Sequence, residues 1–184
     1  MADKKRSNTE TMTLGSGKLY CVEFAGDLPA AAEIEKDENL LGRIQSGASI
    51  EYTPEFYTGE DDFGIVQKTI ITKEEAKLKS GVCTWNGSTL AKLCSTARVT
   101  EEGGKRIVKI GGRANDNGKS YVIHFLHEDK KDGNVRVTIA GKNEAGFSLA
   151  FAKDKETVID AEFKAKPHDA EGTLIRYEED MATA

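Results

Sequence analysis

The sequence predicts a mostly β protein, an antiparallel β-sandwich or barrel with one short flanking α-helix near residues 86–97. Three observations predict it. Apolar and polar residues alternate with a period of two through most of the chain, the period of a half-buried strand. Turn signals separate the alternating runs, among them Asn117-Gly118, Asp132-Gly133-Asn134 and Ala145-Gly146, with Pro167 near the end. Helical spacing stands out in one stretch only. Many short strands with turn residues between them imply an antiparallel architecture.

Taken in order, Lys18–Ala25 places Tyr20, Val22 and Phe24 on one face of a strand. Residues 26–38 are acidic and Ala-rich and read as a surface loop. A strand is expected at 40–45, and another at Ala48–Phe56, with Ala48, Ile50, Tyr52 and Phe56 on one side. Residues 53–64 are expected to form an extended loop, long for a hairpin connection, and long loops in compact domains tend to carry function. This one sets Phe56, Tyr57 and Phe63 beside Glu55, Glu60, Asp61 and Asp62. Aromatics are what contact surfaces use. Strands at 65–71 and 75–83 follow.

From Asn86 to Ala97, Leu90, Leu93, Cys94 and Ala97 fall at i, i+3, i+4 and i+7, one stripe of a helix. Asn86 or Ser88 can cap its start by accepting from the first free backbone N–H groups. Strands are then expected at 105–111, at Tyr121–His127 (Tyr121, Ile123 and Phe125 on one face) and at Val135–Ile139 (Val135, Val137, Ile139). Phe147, Leu149 and Phe151 alternate likewise, as do Ile159, Ala161, Phe163 and Ala165, and a last strand is expected at 172–178. The organisation read from this is a flexible N-terminal arm over residues 1–12, one β domain over 13–178 and a C-terminal tail over 179–184.

Composition narrows the function. The 184 residues carry 26 Lys and Arg against 31 Asp and Glu, a net charge of −5. Affinity for nucleic acid comes largely from cations neutralising phosphates, so a tight general DNA or RNA binder is not expected. No run approaches the ~18 apolar residues of a membrane span, and the charged start, Met1-Ala-Asp-Lys-Lys-Arg, does not read as a signal peptide. Cys21, Cys83 and Cys94 are odd in number and form no CxxC pair. They read as small hydrophobes of a protein made in a reducing cytoplasm.

No catalytic, cofactor-binding or metal-binding residues are assigned. Gly118-Lys119-Ser120 matches the tail of a phosphate-binding loop, but Arg113 stands where its first glycine belongs and a strand follows instead of a helix. His124 and His127 are three apart on a strand and face opposite ways. Asn115-Asp-Asn117-Gly118 fails as a calcium loop, with Arg113 and His124 at its first and last ligand positions. No nucleophile stands beside a base. Asn86-Gly87-Ser88, formally a glycosylation acceptor, reads as the start of the helix.

The order of several segments is familiar. A short arm leads into Thr13-Leu-Gly-Ser-Gly-Lys-Leu-Tyr, then Glu38-Asn-Leu-Leu-Gly-Arg-Ile-Gln-Ser-Gly-Ala-Ser-Ile-Glu-Tyr, the aromatic–acidic loop, and Thr84-Trp-Asn-Gly-Ser-Thr-Leu-Ala-Lys-Leu. Gly146-Phe-Ser-Leu-Ala-Phe and Asp160-Ala-Glu-Phe-Lys-Ala close it. Over roughly residues 13–178 the chain resembles the major tail protein, or tail-tube protein, of long-tailed bacteriophages and phage-tail-like particles of Gram-positive bacteria.

That resemblance implies a tail-tube fold and a structural role in the virion tail, with assembly in the host bacterial cytoplasm. It implies self-association into hexameric rings that stack into a tube, filled first by a tape-measure protein and bounded by tail-tip or baseplate and tail-terminator proteins. DNA passes through the lumen during ejection without specific binding, and no membrane binding is implied. By the same analogy the loop at 53–64, with Phe56, Tyr57, Glu60, Asp61, Asp62 and Phe63, reaches a neighbouring ring. The polar faces Ser49, Glu51 and Thr53, and Gln67 and Thr69, are lumen candidates. A tube inside a contractile tail or type VI-like injection machine is the alternative. From another class comes a monomeric β-barrel ligand-binding module with the loop as a lid.

Overall fold

The computed structural model describes residues 13–181; the expected arm at 1–12 and residues 182–184 lie outside them. The chain is mostly β, as the alternation predicts. Among the described residues ten strands form in order: β1 (Lys18–Glu23), β2 (Leu40–Gly42), β3 (Ile44–Glu60), β4 (Gln67–Val82), β5 (Arg98–Glu102), β6 (Lys105–Lys109), β7 (Tyr121–His127), β8 (Val135–Asn143), β9 (Ile159–Lys166) and β10 (Arg176–Glu179). Two helices interrupt them, α1 (Ala31–Ile34) and α2 (Gly87–Leu93).

One antiparallel sheet runs in the order β2-β1-β7-β8-β9-β4-β3, with β10 beside β8. Its two terminal strands, β2 and β3, are consecutive in the chain and separated only by Arg43. The sheet therefore curls until its ends meet on one segment. The Arg43 carbonyl accepts from the Cys83 N–H at 2.8 Å, and its own N–H donates to Thr84 Oγ1 at 2.7 Å, which ties the joint to the end of β4. Gly42 makes the joint possible: a Cβ there would overlap the Thr84 carbonyl oxygen and lie 2.7 Å from Val82 Cγ1. β8 serves a second junction. Its residues 135–138 pair with β10, and its residues 140–143 pair with β9.

The inside of the curl is filled by side chains. Leu19, Cys21, Ile123, Ile139, Ile159, Phe163 and Val82 are fully buried, and Leu90 and Leu93 of α2 pack against them. Burial pushes the Cys21 thiol up to about 12, which leaves it a protonated apolar group. The expected helix is present but shorter than 86–97. Asn86 Oδ1 accepts from Ser88 N–H (2.8 Å) and Thr89 N–H (3.2 Å), while Thr89 Oγ1 accepts from Asn86 N–H, a reciprocal cap. Cys94 leaves helical geometry, so it and Ala97 lie beyond the last turn.

β1 is buried on both faces, not on one. Leu19 and Cys21 enter the main core, whereas Tyr20 joins Val122, Leu126 and Ile34 in a smaller outer cluster to which Val22 and Phe24 add. That cluster corrects the reading of 26–38 as a surface loop. Residues 31–34 fold into α1, followed by a turn of 3-10 helix at Asp37–Asn39, because burying Ile34 over β1 and β7 offsets the cost of ordering a short acidic segment.

A polar cluster seals the edge of this layer. Glu35 Oε1 accepts from His124 Nε2 at 3.1 Å and also from Arg136 Nε; Arg136 Nη1 reaches Asp180 Oδ1 at 2.7 Å. A carboxylate only accepts, so His124 carries its proton on Nε2, and Nδ1 accepts from Thr138 Oγ1 at 2.8 Å. The expected tail at 179–184 is thereby corrected at its start: Glu179 ends β10, and Asp180 is held by Arg136 and by the Asn134 carbonyl.

Other corrections concern pairing. The strands expected at 65–71 and 75–83 are one continuous strand, β4. The strand expected at Phe147–Phe151 does not form: the pairing of β8 with β9 ends at Asn143 and Phe163, and residues 147–151 take no strand partner. Phe147 and Leu149 still turn into the core, and Phe151 rests exposed at 6.4 Å from the Trp85 ring. β5 has no counterpart among the strands expected from the sequence. It forms a separate hairpin with β6 around Gly103-Gly104, both at positive φ, the conformation of a tight hairpin turn.

Two outcomes follow from these contacts. Gly42→Ala is expected to lower stability by about 2–3 kcal/mol through overpacking against fixed backbone, whereas Gly59→Ala, whose added Cβ would meet only Tyr57 Cε1 at 3.5 Å, should change it by less than about 0.5 kcal/mol; urea unfolding measures both. Burial, against the pull of Glu35, holds His124 below its ordinary 6.5. The unfolded chain then binds the proton more readily, so stability is full above pH 6.5 and declines as the pH falls from 6.5 towards the depressed folded value. His124→Gln should remove that part of the decline in unfolding curves taken between pH 7.5 and 5.

Candidate contact ribbon

β3 and β4, of 17 and 16 residues, are about three times an average strand. Their length corrects the expectation of a loop at 53–64: residues 53–60 are the outgoing strand of a long hairpin, and the connection is residues 61–66. At the stem, Ala76, Leu78, Ser80 and Val82 of β4 are buried because β9 pairs along residues 77–82. Beyond residue 75 β4 has only β3 for a neighbour, and Gln67–Glu74 are exposed throughout. The distal half is a two-stranded ribbon standing off the body.

Cross-strand register decides what each face of the ribbon shows. Glu55 lies opposite Lys73, with a 2.7 Å ion pair, and a bulge follows on β4. Past the bulge, Phe56 is opposite Ile71 on one face and Tyr57 opposite Ile70 on the other; Thr58 and Thr69 share a hydrogen bond of 2.9 Å. Both faces thus carry an opposed pair of large apolar side chains. At the tip Phe63 is 85% exposed, Ile65 80% and Val66 68%. The sequence marks Phe56, Tyr57 and Phe63 as aromatics on an expected long connection. Ile65, Val66, Ile70 and Ile71 fall within the strand expected at 65–71, and nothing in the local pattern sets them apart from it.

The acidic residues of the tip do different jobs. Asp61 is structural: its Oδ1 accepts from Ile65 N–H at 2.6 Å and Val66 N–H at 2.8 Å, and Gly64, at φ 65°, closes the turn. Those backbone bonds, that of Val66 foremost, hold the Asp61 carboxyl below its ordinary 3.8. Glu60 accepts from Gln67 Nε2 at 3.2 Å across the strands. Asp62 and Phe63 project from the turn itself, exposed.

The polar positions proposed for a lumen do not lie together. Ser49, Glu51 and Thr53 lie opposite Lys79, Lys77 and Glu75 on one face, whereas Gln67 and Thr69 lie opposite Glu60 and Thr58 on the face that carries Phe56. The face with Glu51 is a ladder of alternating sign. Lys79 pairs with Glu51 at 2.9 Å and Glu162 at 3.6 Å, Lys77 with Glu162 and Glu75 at 3.1 Å each, and Lys164 with Glu75 at 3.3 Å. The lysines hold the Glu75 and Glu162 carboxyls below their ordinary 4.5, Lys77 being the main cause for each.

At the foot of the ribbon, Ser46 and Gly47 both take positive φ and bulge out of β3, with the Gly47 carbonyl held by Ser80 Oγ at 3.0 Å. Between this bulge, Gly81 and the segment 145–148 lies a groove of about 650 Å³. Elsewhere, Gly118-Lys119-Ser120 leads into β7, with Gly118 N–H bonded to Asp116 and Lys119 paired with Glu23 at 2.7 Å. Both ring nitrogens of His124 and the Nδ1 of His127 are engaged separately, the last with the Ser16 carbonyl at 2.8 Å. No family model matches the chain, and no curated protein matches it either.

Asp61→Ala is expected to leave the melting temperature unchanged while amide hydrogen exchange at Ile65 and Val66 speeds up, since only the tip turn loses its acceptor. Exchange read residue by residue by NMR checks this.

Proposed function

We propose that this chain is a self-assembling structural protein, a tail-tube subunit that forms stacked hexameric rings through which DNA is delivered from a bacteriophage tail. The observation that carries the reading is the ribbon: a two-stranded extension with apolar side chains on both faces and at its tip. A soluble monomer gains nothing from such a surface, and exposed apolar patches of this kind mark contact sites. The order of sequence segments resembling tail-tube proteins supplies the ring, the tube and the expected partners: tape-measure, tail-tip or baseplate, and tail-terminator proteins.

Two features of the body support assembly. The outer edge of β3 has no strand partner among the described residues, and an unpaired edge of this length is a template for strand addition. Pro54, the bulge at Ser46-Gly47 and the charges of Glu51 and Glu55 restrict where a partner can pair, so addition is directed instead of indiscriminate. The charge ladder around Lys79 and Glu162 offers phosphate no unpaired run of lysines, which suits a surface past which DNA slides. Inside the curl the space is taken by Phe163, Ile139 and their neighbours, which gives a ligand-binding reading no support there.

Negative-stain electron microscopy across a concentration series should show stacked rings or tubes for the intact chain. Replacing residues 55–73 by Asn-Gly removes both strands of the ribbon together and keeps the paired stem. That variant should melt like the parent and fail to stack. Normal tubes from it would remove the ribbon from the assembly, and a monomer that also fails to elongate on an isolated tail-tip complex would overturn the tube reading.

A further inference from the structure

We propose that the outward side of the β5–β6 hairpin is a cationic docking face whose occupant is the acidic layer at residues 27–38 of a second copy; this rests on the self-assembly reading and adds to it a charge-matched contact away from the ribbon. Pairing within the hairpin sorts its side chains. Val99 lies opposite Val108 and Glu101 opposite Arg106, and this side turns to α2, since a Cβ on Gly87 would lie 2.8 Å from both Arg106 Cδ and Val108 Cγ2. The other side sets Arg98 opposite Lys109, Thr100 opposite Ile107 and Glu102 opposite Lys105, all six exposed.

The cations of the outward side are unmatched. Arg106, on the α2 side, pairs with Glu101 at 2.8 Å. Arg98 donates to the Gly111 carbonyl at 3.3 Å, and neither it nor Lys105 or Lys109 has a carboxylate within ion-pair distance among the described residues. The stem of the ribbon is the contrast, where Lys77, Lys79 and Lys164 are each paired. Ile107 lies between Lys105 and Lys109 on the same side, 38% exposed. An apolar centre inside a charged rim is the anatomy of a contact patch.

The complementary surface belongs to the same chain but to another layer. Asp27, Glu33, Asp37 and Glu38 are exposed and have no cation within ion-pair distance among the described residues. Glu35 differs from them, being engaged by Arg136 and His124. Within one copy the two surfaces form no ion pair: α1 and the turn after it cover the outer cluster over β1 and β7, whereas the hairpin rests on α2. A second copy brings them together. Opposite potentials steer that encounter, and hairpin against hairpin repels. Nucleic acid suits the face less well, because the chain around it is acidic overall, at −5. The contact joins unlike surfaces, so each copy can use both at once and the association propagates.

Charge reversal in the full chain tests this, read by sedimentation velocity across a concentration series with negative-stain microscopy of the same samples. Arg98→Glu, Lys105→Glu and Lys109→Glu together should raise the concentration at which the chain self-associates by roughly tenfold or more, with the melting temperature unchanged, because like charges then face each other. Glu33→Lys, Asp37→Lys and Glu38→Lys together should do the same. Mixed in equal amounts, the two variants should associate as the parent does. So should one chain carrying all six changes, whose net charge is again −5. Unaltered association of the hairpin variant, or no recovery in the chain with all six changes, overturns the charge contact and leaves the tube reading standing. Loss without recovery, together with duplex DNA that binds the parent and not the hairpin variant, gives the face to phosphate and overturns the second copy as its occupant. A parent that stays monomeric at every concentration and on an isolated tail-tip complex overturns both readings.

Discussion

The joint at Gly42-Arg43 is the constraint on which the other features rest. One segment, residues 40–60, starts as the partner of β1 and continues as the partner of β4. Because both ends of the sheet meet on it, the sheet must curl, and the curl creates an inside for Leu19, Ile139 and Phe163 to fill. The joint works only with a glycine, since the Thr84 carbonyl occupies the place of a side chain. α2 follows β4 directly and is held to the same corner: Thr89 Oγ1 donates to the Leu41 carbonyl at 3.2 Å.

The ribbon is anchored at that corner. β4 is anchored over residues 76–82 by burial and by β9, and its distal half extends the same strand without a break in the chain direction. An isolated two-stranded hairpin is marginal in water. Here the stem is core, the bulge opposite Glu55 sets the twist, and the Asp61 turn closes the end. The result holds apolar side chains away from the body in defined positions, where a flexible loop of the same composition would collapse onto it.

Electrostatics reinforces the separation between body and contact surface. The carboxylates at the stem are matched by Lys77, Lys79 and Lys164, and Glu35 and Asp180 are matched by Arg136. The net charge of −5 is therefore a poor guide to any one face: the β3-β4-β9 surface alternates in sign. Exposed pairs of this kind add little stability individually. Their effect is to leave the surface polar and without a single-sign field, in contrast with the apolar ribbon beside it.

Local chemistry was legible in the residues: the β class, the faces of β7 and β9, the Asn86 cap, and the unusual aromatics at Phe56, Tyr57 and Phe63. Each depends on neighbours within a few positions, where period and capping geometry act directly. Pairing was not legible. A period of two says that a segment meets two environments in turn, and it does so equally for β9, for the unpaired run Phe147–Phe151 and for a ribbon with no core beneath it. Only the tertiary structure decided which edges were free, that β3 and β4 outrun the body, and that Gln67 and Thr69 face away from Glu51, because a hydrogen-bond register and a bulge are set by residues distant in sequence. By itself the sequence determined what each residue can do; long-range backbone pairing decided where it does it.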